Sequence, residues 1–253
     1  LNLSKSLINY GYKVDLVTNK NQKSVKFIHS LNIKSFGKSR MLFCILPLIK
    51  YIKNTNPSLI ICSQFYANII MLISCYLSGY QNKIIICERV PVNTNLQELS
   101  FLKKNAIKLL MKFLYKRADK IVCNSYGTKK DLDKIFNSSK AIVIYNPVLS
   151  NSIQKMSERS VNDYKFDKKT KYLITVSRIA EERNILELID IFNLLPNKLQ
   201  VKLLVIGDGP LLNQYISKVK ELNLENKIQF LGYKNNPYKY LTKADIYVST
   251  AKW

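Results

Sequence analysis

The chain alternates between short apolar blocks rich in β-branched residues and longer stretches with helical spacing of apolar side chains. Continuous apolar runs of about four to six residues are typical of strands in a parallel sheet covered on both faces. The first part of the chain contains five such predicted strands: Val14–Thr18, Leu59–Cys62, Ile84–Cys87, Ile121–Cys123 and Ala141–Tyr145. Predicted helices flank them: Leu3–Tyr10, Phe43–Lys53, Phe65–Leu77, Leu102–Lys116 and Gly127–Phe136.

The same alternation resumes in the second part of the chain. Strands are predicted at Tyr172–Val176, Val201–Ile206, Lys227–Leu231 and Ile246–Ser249. Helices are predicted at Ile185–Leu195, Leu211–Leu222 and Pro237–Thr242. The pattern predicts an α/β protein with two Rossmann-like parallel-sheet domains. Ligands bind beyond the carboxyl ends of such strands, and two facing domains leave a cleft between them as the expected site.

A polar stretch separates the two parts. Val148–Lys171 carries Ser, Asn, Asp and Lys and contains no apolar run. We therefore predict a first domain over residues 1–148, a linker over 149–171 and a second domain over 172–253. Neither end has the character of a natural terminus, because Leu1 lies within a helical pattern and Ala244–Trp253 reads as a strand and the start of a loop. The second domain is expected to be incomplete.

The charge of the chain is strongly positive. Its 253 residues include 40 Lys and Arg against 17 Asp and Glu, a formal net charge of +23. Such a charge favours phosphate-rich or anionic-lipid partners. Codon bias is the alternative, because only six of the basic residues are Arg while Asn, Ile and Lys are abundant. Both interpretations stay open.

The histidine and cysteine content limits the kinds of metal site and the cellular compartment that the chain can have. The single histidine, His29, excludes a site with two histidine ligands. Five cysteines without a Cys-x-x-Cys motif sit mostly inside apolar runs, which is typical of reduced thiols in the cytoplasm. The segment between Lys53 and Lys83 has no charge, but Ser63-Gln64 interrupts it, so we predict a buried strand and helix rather than a membrane span.

Two arginines follow the first predicted strand of the second domain. Arg178 lies just beyond that strand, and Arg183 precedes the next helix. Two guanidinium groups at a strand exit beside a helix N-terminus form a site for a diphosphate. The alternative is an exposed loop in which Glu181 and Glu182 form salt bridges with them.

Two further motifs carry weaker signals. Gly207-Asp208-Gly209-Pro210 opens the helix after the strand Val201–Ile206 as a tight turn, but it is neither a dinucleotide fingerprint nor a P-loop. Asp131 and Asp133 are two residues apart in a predicted helix and therefore do not face one another. We interpret them as a solvated helix face and expect no metal.

One predicted helix carries a regular row of lysines. Lys104, Lys108, Lys112 and Lys116 recur at every fourth position, and we call them the lysine stripe. The stripe predicts contact with anionic membrane headgroups or a phosphorylated lipid. An ordinary solvated face in a lysine-rich protein is the alternative.

Several segments together resemble a known family. In the second domain these are, in order, Val176–Asn184, Val205–Pro210, Phe230–Tyr233 and Ala244–Ser249. In the first domain they are Cys87-Glu88-Arg89 and Ile121–Ser125. The chain resembles the group 1 (family 4) GT-B glycosyltransferases, especially those that build bacterial surface polysaccharides.

The resemblance implies a reaction and its partners. It implies metal-independent, retaining transfer of a sugar from a nucleotide-diphosphate sugar to a glycan or polyprenyl-linked acceptor, with no cofactor. It also implies that Arg178 and Arg183 neutralise the leaving diphosphate, with Arg183 in place of the family's lysine. Ser177 stands where the family usually has glycine. The enzyme is expected in the cytoplasm, or peripheral on the inner face of the plasma membrane.

The resemblance also assigns residues around the cleft. The implied donor and nucleotide-binding residues are Gly207, Gly209 and Tyr233. The residues implied on the acceptor side of the cleft are Glu88, Arg89 and Ser125.

Two parts of the family pattern fall outside the chain. A glycine-rich loop would precede Leu1, and a Glu-x7-Glu motif for donor sugar and ribose would begin just after Trp253. The fragment alone is therefore expected to bind nucleotide weakly and to be inactive.

Two other functional classes are weighed against the transferase. A sugar-nucleotide epimerase of the same fold would need acid–base residues, which are sparse here. A basic membrane- or nucleic-acid-binding module would need a clustered basic face, whereas most of the lysines are dispersed, so we expect no nucleic-acid partner.

Overall fold

The computed structural model describes residues 2–20, 31–97, 99–135, 139–147, 151–196 and 198–252. The chain divides into two compact units, Leu1–Asn146 and Pro147–Trp253. His29 lies outside the described residues.

The first unit is built on parallel strands. β1 (Asp15–Thr18) pairs with β2 (Asn32–Ser35), and a separate four-stranded sheet contains, in spatial order, β3 (Leu59–Ser63), β4 (Lys83–Glu88), β5 (Lys120–Cys123) and β6 (Ala141–Val143). Its helices are α1 (Asn2–Asn9), α2 (Ile45–Thr55), α3 (Phe65–Ser78), α4 (Val92–Leu96), α5 (Phe101–Leu114) and α6 (Tyr126–Asp133).

The apolar core of the first unit lies between the four-stranded sheet and helices α3 to α6. Successive right-handed crossovers in one direction across the sheet put the connecting helices on one face. Alternate residues of β4, which are Ile84, Ile86 and Glu88, point to this face and are buried. Helix α3 is largely buried because both α2 and α5 pack against it.

The second unit is a parallel sheet that winds in two directions. Its elements are α7 (Asn151–Ser157), β7 (Lys171–Val176), α8 (Ile185–Asn193), β8 (Val201–Ile206), α9 (Leu212–Glu221), β9 (Ile228–Gly232), α10 (Tyr238–Leu241) and β10 (Ile246–Tyr247). The strand order is β10-β7-β8-β9. Helices α8 and α9 cover one face. Helix α10 leads back across the sheet, so its Tyr240 packs on the other face.

The predicted α/β class with parallel sheets is confirmed, and every predicted strand is present. The ends differ by a few residues, as where β10 stops at Tyr247 rather than Ser249. Three short elements, β2, α4 and α7, are not predicted by the sequence pattern. β2 reads Asn-Ile-Lys-Ser and has no apolar run, because it lies outside the buried sheet.

The segment predicted as a linker is folded onto the second unit. It contains helix α7, which packs against α10. Asp163 secures it, since its carboxylate accepts hydrogen bonds from Nζ of Lys234 at 2.7 Å and from the Tyr240 hydroxyl. Isolated apolar side chains pack beside Tyr240: Val161, Tyr164 and Phe166. Because these residues are scattered among polar ones, the sequence shows no apolar run.

All five cysteines lie in the first unit as free thiols. Burial raises the pKa of both Cys62 and Cys75 to about 12 and that of Cys123 to about 11. Within the described ranges, no helix is both long enough and apolar enough to cross a bilayer. The uncharged segment forms β3 and α3, as predicted.

Candidate functional site

The carboxyl edge of the second sheet has the topology of a ligand site. The chain leaves β7 toward β8 on one side, whereas β10 reaches the other side of β7 by a return crossover. Such a reversal opens a crevice at the strand ends. The loops at this edge span residues 177–184, 207–211, 233–237 and 248–252.

The 177–184 loop carries both predicted arginines. Arg178 is exposed just beyond β7, and Arg183 closes a short 3-10 turn that leads into α8. Asn184, at the junction, has a left-handed backbone with φ of 52°. In the described part of the chain, neither guanidinium forms an ion pair with Glu181 or Glu182. The predicted salt-bridge alternative therefore gains no support.

Two buried polar atoms of this loop have no partner among the described residues: Nε of Arg183 and Oγ of Ser177. Buried donors and acceptors are nearly always paired in folded proteins. An anionic ligand with acceptor oxygens would satisfy the Arg183 Nε–H, and the Ser177 hydroxyl can donate to the same group.

The two glycines hold the neighbouring loop against the arginine loop. A Cβ at position 207 would lie 1.8 Å from the carbonyl oxygen of Ser177, and one at 209 would lie 2.2 Å from that of Ile179. The Ile179 N–H donates to the carbonyl of Asp208 at 2.9 Å. The glycines thus give close approach of backbone to backbone, which fixes the position of Arg178 between the two contacts.

Tyr233 lies at the same edge. It follows Gly232, whose carbonyl accepts a hydrogen bond of 3.0 Å from the Gly207 N–H. Its side chain is 72% exposed, so the ring is available to stack on a planar ligand group.

The segment after β10 also contacts the arginine loop. The Thr250 hydroxyl lies 3.2 Å from the carbonyl of Arg183 and 2.9 Å from that of Asn184, which can accept its proton. The Lys252 N–H donates to the carbonyl of Glu182 at 3.0 Å. The sequence gives no signal for these contacts, because they join segments 66 or more residues apart. Thr250 is therefore a positioning residue that pattern analysis misses.

In the first unit, Glu88 does not line an open surface. It is 1% exposed, and its Oε1 accepts hydrogen bonds from the Asn68 amide at 2.9 Å and from the Tyr115 hydroxyl. Burial raises the pKa of this carboxyl. The alternation of β4 turns residue 88 toward the helices, so the structure places the Glu88 carboxylate in the core rather than on the surface of the carboxyl edge.

Arg89 and Ser125 both follow strands at the carboxyl edge of the first sheet, Arg89 after β4 and Ser125 after β5. Arg89 is exposed, and its Nε donates to Oγ of Ser63 at 2.8 Å. Asn124 donates its side-chain amide to the Arg89 carbonyl at 2.8 Å. The Ser125 hydroxyl caps α6 by accepting from the Thr128 N–H at 3.1 Å. The structure thus gives Ser125 a capping role and leaves the Arg89 guanidinium oriented at the edge.

Lysines of the stripe lie in different surroundings. Lys104 and Lys108 are half-buried along the core side of α5, whereas Lys112 and Lys116 are exposed.

Asp131 is not a solvated side chain, contrary to the sequence interpretation. Its carboxylate accepts from the backbone N–H of Asn93 at 2.8 Å and from the Asn93 amide at 2.6 Å, at the start of α4. Asp133 pairs with Lys129 at 2.8 Å. In the described ranges no three His, Cys, Asp or Glu side chains form a group that could hold a metal ion.

Two family models match the chain, one on each unit. Residues 1–149 match the model described as Glycosyltransferase Family 4. Residues 156–253 match the model described as Glycosyl transferases group 1.

Individual proteins agree with this match. The chain is 34% identical over 142 residues to the N-acetylgalactosamine-N,N'-diacetylbacillosaminyl-diphospho-undecaprenol 4-alpha-N-acetylgalactosaminyltransferase of Campylobacter jejuni, covering 55% of this chain and 37% of that protein. It is 25% identical over 255 residues to the amylovoran biosynthesis glycosyltransferase AmsD of Erwinia amylovora, covering 99% and 69%. The chain thus spans only part of each relative's length.

A solved structure shares the fold. The Anabaena protein HepE, in complex with UDP, aligns over 96% of this chain and 75% of its own with a TM-score of 0.68 and 14% identity.

Proposed function

Because the chain belongs to glycosyltransferase family 4, we propose that it forms the donor-binding and acceptor-binding parts of an enzyme that transfers a sugar from a nucleotide-diphosphate sugar to a glycan or lipid-linked acceptor. The fold is GT-B, and family membership favours the transferase over the epimerase and the binding module. The surroundings of Arg178 and Arg183 are the observation that carries the proposal. The buried Nε of Arg183 has no partner among the described residues, and the exposed guanidinium of Arg178 lies at the same topological ligand edge.

The arginines are assigned to the donor diphosphate. When the bond from the anomeric carbon to the diphosphate oxygen breaks, negative charge grows on the leaving group. Fixed cationic donors stabilise such charge more in the transition state than in the ground state. We assign this counter-charge to Arg178 and Arg183, with the Ser177 hydroxyl as a further donor, and propose transfer that retains the anomeric configuration without a metal ion.

Tyr233 is assigned to the nucleobase. Tyr233 directly follows Gly232, the last residue of β9, and the Gly232 carbonyl is hydrogen-bonded to the N–H of Gly207. The exposed Tyr233 ring therefore lies beside the loop that holds the arginines, so base and diphosphate would be bound side by side. The solved structure of HepE contains UDP, and uridine nucleotides are therefore the first probe.

The acceptor is assigned to the first unit. The Campylobacter relative is named for a diphospho-undecaprenol substrate, and we propose an acceptor of the same lipid-linked kind here, in surface-polysaccharide synthesis. Arg89 would meet its phosphate, because this guanidinium is held at the carboxyl edge by Ser63. The two exposed lysines of the stripe, Lys112 and Lys116, would then lie near anionic headgroups, on a protein that works in the cytoplasm at the inner face of the plasma membrane.

Calorimetric titration with UDP and with uridine tests the donor assignment. Binding should require the diphosphate and should weaken as salt concentration rises, because the arginine contacts are ionic. Equal affinity for uridine and UDP would contradict it. Sugar transfer from a UDP-sugar to a lipid-linked acceptor, measured on the full-length protein, tests the reaction.

A further inference from the structure

Helix α5 exposes a row of apolar side chains on the first unit. Leu102, Ala106, Leu109 and Phe113 recur at intervals of three and four residues, so they share one side of the helix. Leu102 is 80% exposed and Phe113 is 65% exposed. The other side packs on the core through Ile107, Met111 and Leu114. We call the exposed set the α5 apolar row.

A second apolar cluster lies on the same helix-covered side. It consists of Leu42, Phe43 and Leu46, in the turn before α2 and its first residues, and Leu46 is 77% exposed. Lys38 and Lys50 line the open depression beside it. Because α2 and α5 both pack against α3, the row and the cluster belong to one layer of helices.

Both sets extend to the same end of this layer. Helix α2 leads into the amino end of β3, and α5 leads through a short turn into the amino end of β5. The starts of both helices therefore lie toward the carboxyl ends of the strands, which is where Arg89 lies.

The positive charges around the α5 apolar row favour an anionic partner. Helix α5 contains four lysines and no acidic residue, and exposed Lys103 and Lys112 border the row on its two sides. A second copy of the chain would bring +23 against +23. An anionic bilayer offers both a complementary charge and an apolar interior, and amphipathic helices with basic borders lie in its interface.

We propose that the α5 apolar row and the 42–46 cluster insert into the interface of an anionic bilayer, with the flanking lysines on the headgroups. The proposal deepens the peripheral placement given above and rests on it. In this proposal the protein is attached to the bilayer by the burial of apolar side chains as well as by the charge of the lysines. The carboxyl edge with Arg89 then lies near the membrane surface, within reach of a lipid-borne phosphate.

Co-sedimentation with vesicles tests this attachment. Vesicles of phosphatidylglycerol and phosphatidylethanolamine should bind the protein, and part of the binding should persist at about 0.5 M salt, where charge attraction is screened. The variant Leu102→Gln/Leu109→Gln/Phe113→Gln keeps the charge of +23. It should bind at least about tenfold more weakly and lose the salt-resistant part.

Matched variants separate insertion from general effects. Ile191→Gln/Leu194→Gln/Leu199→Gln removes three exposed apolar residues of the second unit and should leave vesicle binding unchanged. Leu102→Gln alone should give an intermediate loss if the triple variant folds poorly. Neutral phosphatidylcholine vesicles should bind much less protein.

Three results would overturn the proposal. These are full vesicle binding by the triple variant, wild-type binding that vanishes at high salt, or a wild-type dimer in light scattering that the triple variant abolishes. The last result would assign the row to a second copy. UDP titration in solution reports on the donor site independently, so failure of the membrane face is distinguishable from failure of the proposed function.

Discussion

The carbonyl oxygen of Ser177 occupies the space that a Cβ atom at position 207 would need, 1.8 Å away. The two residues belong to neighbouring loops, and Gly207 accommodates the contact with φ of 145°. Hydrogen bonds from Ile179 to Asp208 and from Leu211 to Ile179 continue the contact. The arginine loop therefore has its backbone fixed before any ligand binds.

Gly207→Ala should destabilise the second unit strongly. The new methyl group meets backbone rather than a flexible side chain, and the backbone angle disfavours any L residue. We expect a loss of about 3 kcal/mol or more in the free energy of unfolding, measured with urea. Gly79→Ala is the control: its φ of 73° is also positive, but nothing lies within 4 Å, so we expect about 1 kcal/mol. Equal losses would show that the close approach is unimportant.

Arg178→Ala and Arg183→Ala should each weaken UDP binding without unfolding the protein. Each removes a charged hydrogen-bond donor, with an expected cost of about 1.5–3 kcal/mol in calorimetry. Arg159→Ala, which removes an exposed arginine of the same unit, makes the same change in net charge and should have little effect. If all three variants bind UDP like the wild type, the diphosphate assignment fails.

Glu88 should make the stability of the first unit depend on pH. Burial raises the pKa of this carboxyl above its unfolded value, so the unfolded chain releases the proton first. The free energy of unfolding should therefore fall as pH rises from about 4.5 through the raised folded pKa. Glu88→Gln should flatten this dependence. Glu88→Ala should cost about 2–3 kcal/mol, because the buried Asn68 amide and the Tyr115 hydroxyl each lose an acceptor. If the free energy of unfolding of Glu88→Gln depends on pH as strongly as that of the wild type, Glu88 is not the cause of the dependence.

The contribution of Asp163 to stability should change with pH in the opposite direction to that of Glu88. Hydrogen bonds from Lys234 and Tyr240 lower the pKa of its carboxyl. The contribution is then complete above about pH 5 and is lost as pH falls below the unfolded pKa of about 3.9. Asp163→Asn should cost about 1 kcal/mol at neutral pH, since the pair is partly exposed and screened. The difference from the wild type should shrink in acid.

Lys234→Met provides the matched test of this contact. It should remove much of the same stability, and the double variant should lose little more than either single variant. Strict additivity would mean that Asp163 and Lys234 act independently.

The sequence predicts the sheet strands well because each is a continuous apolar run, such as Val201–Ile206, whose predicted and observed bounds coincide. It does not predict that residues 151–166 belong to the second unit, because their few apolar side chains are spread among polar ones. A contact between Asp163 and Lys234 joins residues 71 positions apart. Local patterns carry no information about such pairs.

The sequence predicts where the candidate site lies, at the carboxyl edge of the second sheet, but not the contacts of its individual residues. Strand exits at Arg178 and Gly207 follow from the strand pattern, and the carboxyl-edge rule brings them together. The burial of Glu88 was hidden, because the run Ile-Ile-Ile-Cys before it is apolar at every position and does not reveal which alternate set faces the helices. The Thr250 contact depends on three-dimensional proximity alone.

The distribution of thiols makes the second unit a convenient spectroscopic target. Its sequence contains no cysteine, and burial raises the pKa of all five thiols in the first unit, so these should react slowly with maleimides near neutral pH. A cysteine introduced by Asn235→Cys, at an exposed position of the loop after β9, would be the fast-reacting position. A fluorophore attached there could report nucleotide arrival in real time without the removal of any native cysteine.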